Sequence, residues 1–173
     1  MLASRRLEIL IAVTVVILDQ ITKAMIRPAL ALHESIEVIP GFLDLSRVHN
    51  TGAAFGMMNA LDFPYKTLVL SLVAAIALAG VAWYALTVPL TDRLARIGIA
   101  GVLGGAVGNL IDRAKDGYVL DFVDAYWKGW HFWAFNVADA AISVGVVFMI
   151  LDILGLGRRA AAAPSKDNAS NPV

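Results

Sequence analysis

The chain has 173 residues, 59% of them hydrophobic and only 16% charged, with a mean hydropathy of +0.72. Soluble domains sit at roughly 45–50% apolar and about 25% charged, so this composition argues against a water-soluble enzyme and against a disordered chain. Basic and acidic residues number 14 each, which leaves no basic excess to hold nucleic acid. The lack of cysteine excludes disulfides, a cysteine nucleophile, thiolate metal sites and lipid attachment to a cysteine of this chain. His33, His49 and His131 have no metal-ligand spacing, and neither a metal nor another cofactor is expected.

The first apolar run, Leu7 to Ile26, reads as a membrane span. Arg5 and Arg6 before it and Ala29-Leu30-Ala31 after it imitate a secretory signal peptide. However, Asp19, Lys23 and Arg27 separate the apolar core from that site, whereas a cleavable peptide has the two close together. Residues 27–66 follow. Ser35 to Pro40 and Leu43 to Val48 alternate apolar and polar residues, the period of strands with one buried face, and Pro40-Gly41 between them is a turn signal. Thr67 to Leu86 and Leu94 to Ile111 are the second and third candidate spans, and Val137 to Leu156, after segment 112–136, is the fourth. Each is about 18–20 residues, enough to rise about 30 Å and cross one hydrocarbon core. The expected fold is a mainly α membrane protein, a bundle of four transmembrane helices with a small β-element lying on the membrane surface. Residues 1–156 form one domain in this reading, and 157–173 a disordered cytoplasmic tail.

Basic residues orient the spans. Arg5, Arg6, Arg93, Arg96, Arg158, Arg159 and Lys166 fall on one side, and Arg27, Arg47, Arg113, Lys115 and Lys128 on the other. Both termini are therefore expected in the cytoplasm. Polar residues of the spans then gather near the outer surface: Asp19 and Lys23, Asn109, Asp112 and Arg113, and Asn136 and Asp139, joined by Asn50-Thr51-Gly52 and Asp121 from the outer loops. Ionisable groups inside spans are functional candidates by default.

Each has a structural reading too. Asp19 and Lys23, four apart, can be a packing pair, and Asp112 with Arg113 an interfacial anchor. Asn136 can cap the last helix, with Asp139 in its first turn serving the dipole. Asp121, within the apolar Tyr118 to Val123, is harder to explain as a solvated loop residue; Asp124 competes with it but reads as more exposed, and Asp116-Gly117 as a turn. Asp152 lies at the inner end and receives no role. Gly101 with Gly105, Gly104 with Gly108, and Ala141 with Gly145 form the small-residue pattern of close-packed membrane helices. Trp127, Trp130, Phe132, Trp133 and Phe135 read as an interfacial aromatic belt.

If Asp121 and Asp139 meet, the two carboxyls share a proton. The ionised one can deprotonate water while the protonated one bonds to a scissile carbonyl: peptide hydrolysis without a metal or covalent intermediate. A GxSxG nucleophile motif is absent. Two rivals compete with this reading. A proton-coupled transporter would need acids across the whole bilayer, whereas these gather on one side. A non-catalytic scaffold would tolerate Asp→Asn at 121 or 139. The GxGD motif of another intramembrane aspartic protease type is absent.

Five motifs occur in order: Leu18-Asp19-Gln20-Ile21-Thr22-Lys23; Asn50-Thr51-Gly52-Ala53-Ala54-Phe55-Gly56; Gly104 to Arg113 (GGAVGNLIDR); Gly117 to Phe122 (GYVLDF); and Phe135-Asn136-Val137-Ala138-Asp139. Over about residues 7–156 the chain resembles bacterial lipoprotein signal peptidase, also called signal peptidase II. The resemblance implies removal of the signal peptide from diacylglyceryl-modified prolipoproteins, N-terminal to the lipidated cysteine, with Asp121 and Asp139 catalytic. It also implies that Asp19, Lys23, Asn50, Gly52, Asn109, Asp112, Arg113 and Asn136 bind substrate or support the site, that the loop after Asn50 is similar to a mobile lid, and that the small β-element is an extracytoplasmic β-cradle. The implied partners are prolipoproteins, membrane lipid and the cyclic peptide inhibitor globomycin. The implied location is the bacterial cytoplasmic (inner) membrane, and the chain is expected to act as a monomer. Two acyl chains on the substrate would fix the scissile bond at the depth of the aspartates.

Overall fold

The elements, in a computed structural model that describes residues 5–52, 58 and 63–156, follow the order α1 (Arg6–Ala29), β1 (Ser35–Ile39), β2 (Leu43–Asn50), α2 (Lys66–Thr87), α3 (Arg93–Asp116), β3 (Val119–Trp127), β4 (Trp130–His131) and α4 (Val137–Ile153). The chain is mainly helical with one small antiparallel sheet. Helices α1, α2 and α3 are long and apolar enough to cross a membrane. Helix α4 has 17 residues and ends at Ile153 rather than Leu156, a rise of about 26 Å. The expected tail, and the segment 53–57 that carries most of the expected lid, lie outside the described residues.

Helix α3 is the hub, because its glycines let backbones approach. A Cβ on Gly98 would lie 2.5 Å from the Gly145 carbonyl oxygen of α4, and one on Gly105 would collide with the Ala138 carbonyl. On another side, a Cβ on Gly104 would lie 2.7 Å from the Ala12 carbonyl oxygen of α1. The two small-residue ridges of α3 thus serve two partners, α4 and α1. At the end opposite the sheet, Arg96 of α3 pairs with Glu8 of α1, and Arg5 donates to the Ala85 carbonyl at the end of α2 at 2.6 Å. Helix α3 runs five residues past the expected Ile111. It stops where Gly117 takes a left-handed conformation, φ 80°, which favours glycine.

The sheet has the order β1-β2-β3-β4. Strand β2 extends past Val48 to Asn50, and its register sets Val48 opposite Asp121 and Asn50 opposite Val119. The short β3–β4 hairpin turns at Lys128 and Gly129, both with positive φ, as two-residue hairpin turns require. Leu120 and Phe122 of β3 pack with Ile26 and Leu30 from the end of α1, and Leu45, Val123 and Val137 close around them. This small core seats the sheet on the bundle. Arg47 of β2 fastens it further, donating to the carbonyls of Arg27 (2.9 Å) and Leu30 (3.1 Å), which the end of α1 leaves without helical partners.

Candidate active site

Asp19, Lys23 and Arg27 recur every four residues, so they form one stripe of α1, and α1 packs this stripe against α3. The Lys23 ammonium is buried and has three donors. Each meets an acceptor: Asp19 Oδ2 at 2.8 Å, Asp112 Oδ2 at 2.9 Å and Asn109 Oδ1 at 3.1 Å. A buried charge is tolerable only when paired and hydrogen-bonded. Here one cation faces two anions, and Arg27 adds charge at the rim, 3.6 Å from Asp112 and 2.6 Å from Asp116.

The two acids use their remaining capacity in parallel ways. Asp19 Oδ1 accepts from the backbone N–H of Ala138 at 3.0 Å. Asp112 Oδ2 accepts from the backbone N–H of Leu120 at 3.1 Å. Each therefore grips the residue immediately before an aspartate of interest, Asp139 in one case and Asp121 in the other. Gln20 Nε2 reaches both acids, at 3.2 Å (Asp19) and 3.1 Å (Asp112), as well as the Gly108 carbonyl at 3.3 Å. A sequence reading that stops at charged residues misses Gln20. Its signal is its place beside Asp19, inside the first motif.

Asp121 and Asp139 are joined through two asparagines. Asn136 Nδ2 donates to Asp121 Oδ1 at 2.7 Å, to Asn109 Oδ1 at 3.2 Å and to the Leu120 carbonyl at 3.3 Å. Asn109 Nδ2 donates to Asp139 Oδ1 at 2.8 Å. Asn136 is also the N-cap of α4: its Oδ1 accepts from the Asp139 N–H at 2.9 Å, and Asp139 Oδ2 accepts from the Asn136 N–H at 3.3 Å. This is a capping box with Asp in place of Glu. The structural reading of Asn136 is therefore realised, and the same side chain holds Asp121. From β2, Asn50 Nδ2 donates to Asp121 Oδ2 at 3.0 Å, and its Oδ1 accepts from the Gly52 N–H at 3.0 Å. Arg113 Nη2 takes the Gly52 carbonyl at 3.0 Å. All ten residues singled out in the sequence thus belong to one connected network.

Burial, and then the nearby Asp139 charge, push the Asp121 carboxyl up to about 7. Both aspartates line a cavity of about 810 Å³ between α2, α3 and α4. Asn50, Asn109 and Arg113 share its polar end, and Phe132 and Phe135 its aromatic rim. Most of the remaining wall is aliphatic. Asp124 is not part of this site; its carboxylate meets His131 Nδ1 at 3.0 Å on the sheet. Asp152 is buried towards the other end of α4. Among the described residues, no group of three or more His, Asp or Glu side chains is arranged to hold a metal ion.

Buried Asp121 and half-buried Asp139 thus share one cavity beside helices of membrane length, and known proteins are similar to the chain in sequence and in fold. The family model described as signal peptidase (SPase) II matches residues 11–155. The lipoprotein signal peptidase of Symbiobacterium thermophilum is 42% identical over 156 residues, 90% of this chain and 99% of that protein. The chain belongs to the signal peptidase II family. A second member, the lipoprotein signal peptidase of Syntrophotalea carbinolica, is 43% identical over 150 residues, covering 87% of this chain and 92% of its own length. A solved structure described as a bacterial membrane enzyme, obtained by the in meso method at 2.3 Å resolution, superposes with a TM-score of 0.73 at 32% identity, covering 95% of this chain and 94% of the other. As a signal peptidase II family member the chain is a peptidase of prolipoprotein signal peptides and has the helices of a membrane protein.

Proposed function

We propose that this peptidase is of the aspartic type. It cuts the signal peptide from diacylglyceryl-modified prolipoproteins on the N-terminal side of the lipidated cysteine, and Asp121 and Asp139 activate the attacking water. The reading is carried by one observation: two carboxyls wired to a common pair of asparagines open onto the same cavity, and one of them is raised to about 7. With one proton between them, the ionised carboxylate takes a proton from water and the protonated partner hydrogen-bonds to the scissile carbonyl. The proton then passes to the leaving nitrogen. Asn50, Asn109 and Asn136 keep the carboxylates aimed. Asp19, Asp112 and Lys23 hold the backbone beneath them, and Arg113 with Asn50 holds Gly52 at the cavity mouth.

The proposal extends to the setting. Helix α4 serves as a fourth span, residues 1–156 form one membrane domain, and both termini with the tail from 157 lie in the cytoplasm. The protein acts as a monomer in the bacterial cytoplasmic membrane, with the site near the outer leaflet and open to globomycin-type inhibitors. The support is that the apolar cavity wall runs from the carboxyl pair down between α2 and α4, where a lipid-anchored apolar segment finds a matching surface. The test is cleavage of a diacylglyceryl-modified prolipoprotein by the purified protein in lipid. Asp121→Asn and Asp139→Asn keep side-chain size and one accepting oxygen while removing the ionisable group. Each is expected to fold and to lose more than about 10³-fold in rate. Cleavage by both variants at the wild-type rate refutes the aspartate pair.

A further inference from the structure

Below its polar end the cavity has one hydroxyl among the described residues. Ser143 lies four residues after Asp139 on α4, on the same face and about 6 Å further along the helix, and it lines the cavity with Leu70, Val73, Ala77 and Val102. A hydroxyl at hydrocarbon depth is costly without a partner. Helical hydroxyls usually find one in the carbonyl a turn back, as Thr22 does with the Leu18 carbonyl at 2.8 Å. Ser143 makes no such bond to Asp139, or any other hydrogen bond among the described residues, and its side chain is exposed to the cavity. Thr14 and Ser71 also have no described hydrogen bond, but neither lines the cavity. The side-chain donors at the polar end are engaged: Asn109 holds Asp139, Asn136 holds Asp121 and Arg113 holds Gly52.

An apolar helical segment entering between α2 and α4 brings its own requirement. The last four carbonyls of a helix lack intrahelical donor partners, and there is no water at that depth to meet them. We propose that Ser143 is a substrate-contact residue whose hydroxyl donates to a main-chain carbonyl of the signal segment, one turn upstream of the scissile bond, and so sets which bond faces the two aspartates. This rests on the proposed function above and adds a residue that the family motifs do not contain. The contact lies away from the reacting atoms and is the same before and in the transition state. It therefore acts on binding and cleavage register rather than on the chemical step.

The experiment measures binding (Kd) and cleavage (kcat, KM and product mass) of a diacylglyceryl-modified prolipoprotein by the full-length protein in lipid nanodiscs. Wild type is compared with Ser143→Ala, Ser143→Thr and Ser71→Ala. Ser143→Ala is expected to raise Kd and KM about fivefold, the worth of one hydrogen bond, with kcat little changed and a new fraction of product cut at a neighbouring bond. Ser143→Thr keeps the hydroxyl and is expected to restore both, and Ser71→Ala to match wild type. Equal Kd and a single product for wild type and Ser143→Ala overturn the proposal. So does equal impairment of the Ala and Thr variants with a lowered Tm, which marks a packing role. A wild type that binds with the Ser143 dependence but does not cut removes the proposed function and leaves the contact standing.

Discussion

Helices α2 and α3 are both apolar enough to cross a membrane, yet they do opposite work. Of the 22 residues of α2, none is buried, whereas α3 buries ten of 24, five of them glycine. The more hydrophobic helix is thus the less packed one. In lipid, apolar side chains gain little from burial against protein, so tight packing marks small residues and polar bonds rather than hydropathy. Helix α3 carries the architecture, and α2 supplies a wall of the cavity.

The largest test of this contrast lies where α1 meets α3. Lys23→Ala leaves Asp19 and Asp112 buried without their cation and is expected to cost about 3–5 kcal/mol. Thermal unfolding in detergent should show it, with activity lost in parallel. Next come the glycines. Gly105→Ala drives a methyl into the Ala138 carbonyl and is expected to cost about 1–3 kcal/mol. Gly80→Ala in α2 meets nothing within 4 Å and should be neutral or stabilise by up to about 1 kcal/mol; equal melting shifts for the two would erase the distinction between hub and wall. The third test is pH. Asp121 is raised to about 7, and the proposed mechanism needs one proton between the two aspartates. The sign is therefore a loss of rate as pH rises: the shared proton leaves, and cleavage should fall about tenfold per unit above about pH 7. A rate that climbs steadily to pH 9 breaks the assignment. The smallest effect belongs to the wall itself. Leu78→Ala should change stability by less than about 0.5 kcal/mol while raising KM, which separates a substrate-facing residue from a packing one.

The helices and the first two strands are legible in the sequence because apolar runs and period-two alternation need no knowledge of partners. So is the gathering of polar residues at one end, since a span's length fixes depth. The five residues Asp112 to Asp116 are less legible. They continue α3 although four of them are charged, because Arg27 reaches across to Asp112 and Asp116, a contact between distant parts of the chain. Strand β3 likewise runs to Trp127 through Asp124-Ala125-Tyr126, which reads as exposed; Tyr126 is held there by Glu37, its hydroxyl donating at 3.1 Å. The sequence offers capping for Asn136 and leaves capping and catalysis as alternatives for Asp139. The structure gives the Asn136 cap a second task, because an amide has donors for Asp121 and an acceptor for the helix start at once. Gln20 stays hidden because its tie to Asp112 exists only once α1 packs on α3.

Arg47 has a mechanical consequence. Its guanidinium closes the open carbonyls at the end of α1, so the strand carrying Asn50 has no slack where it leaves the bundle. The sheet can tilt only as α1 tilts, and α1 is clamped to α3 by Lys23. The yielding side of the cavity is then α2, whose displacement unseats no buried residue of its own. A passenger of greater girth would be accommodated by that helix swinging outward into lipid, while the bed beneath the carboxyls stays still.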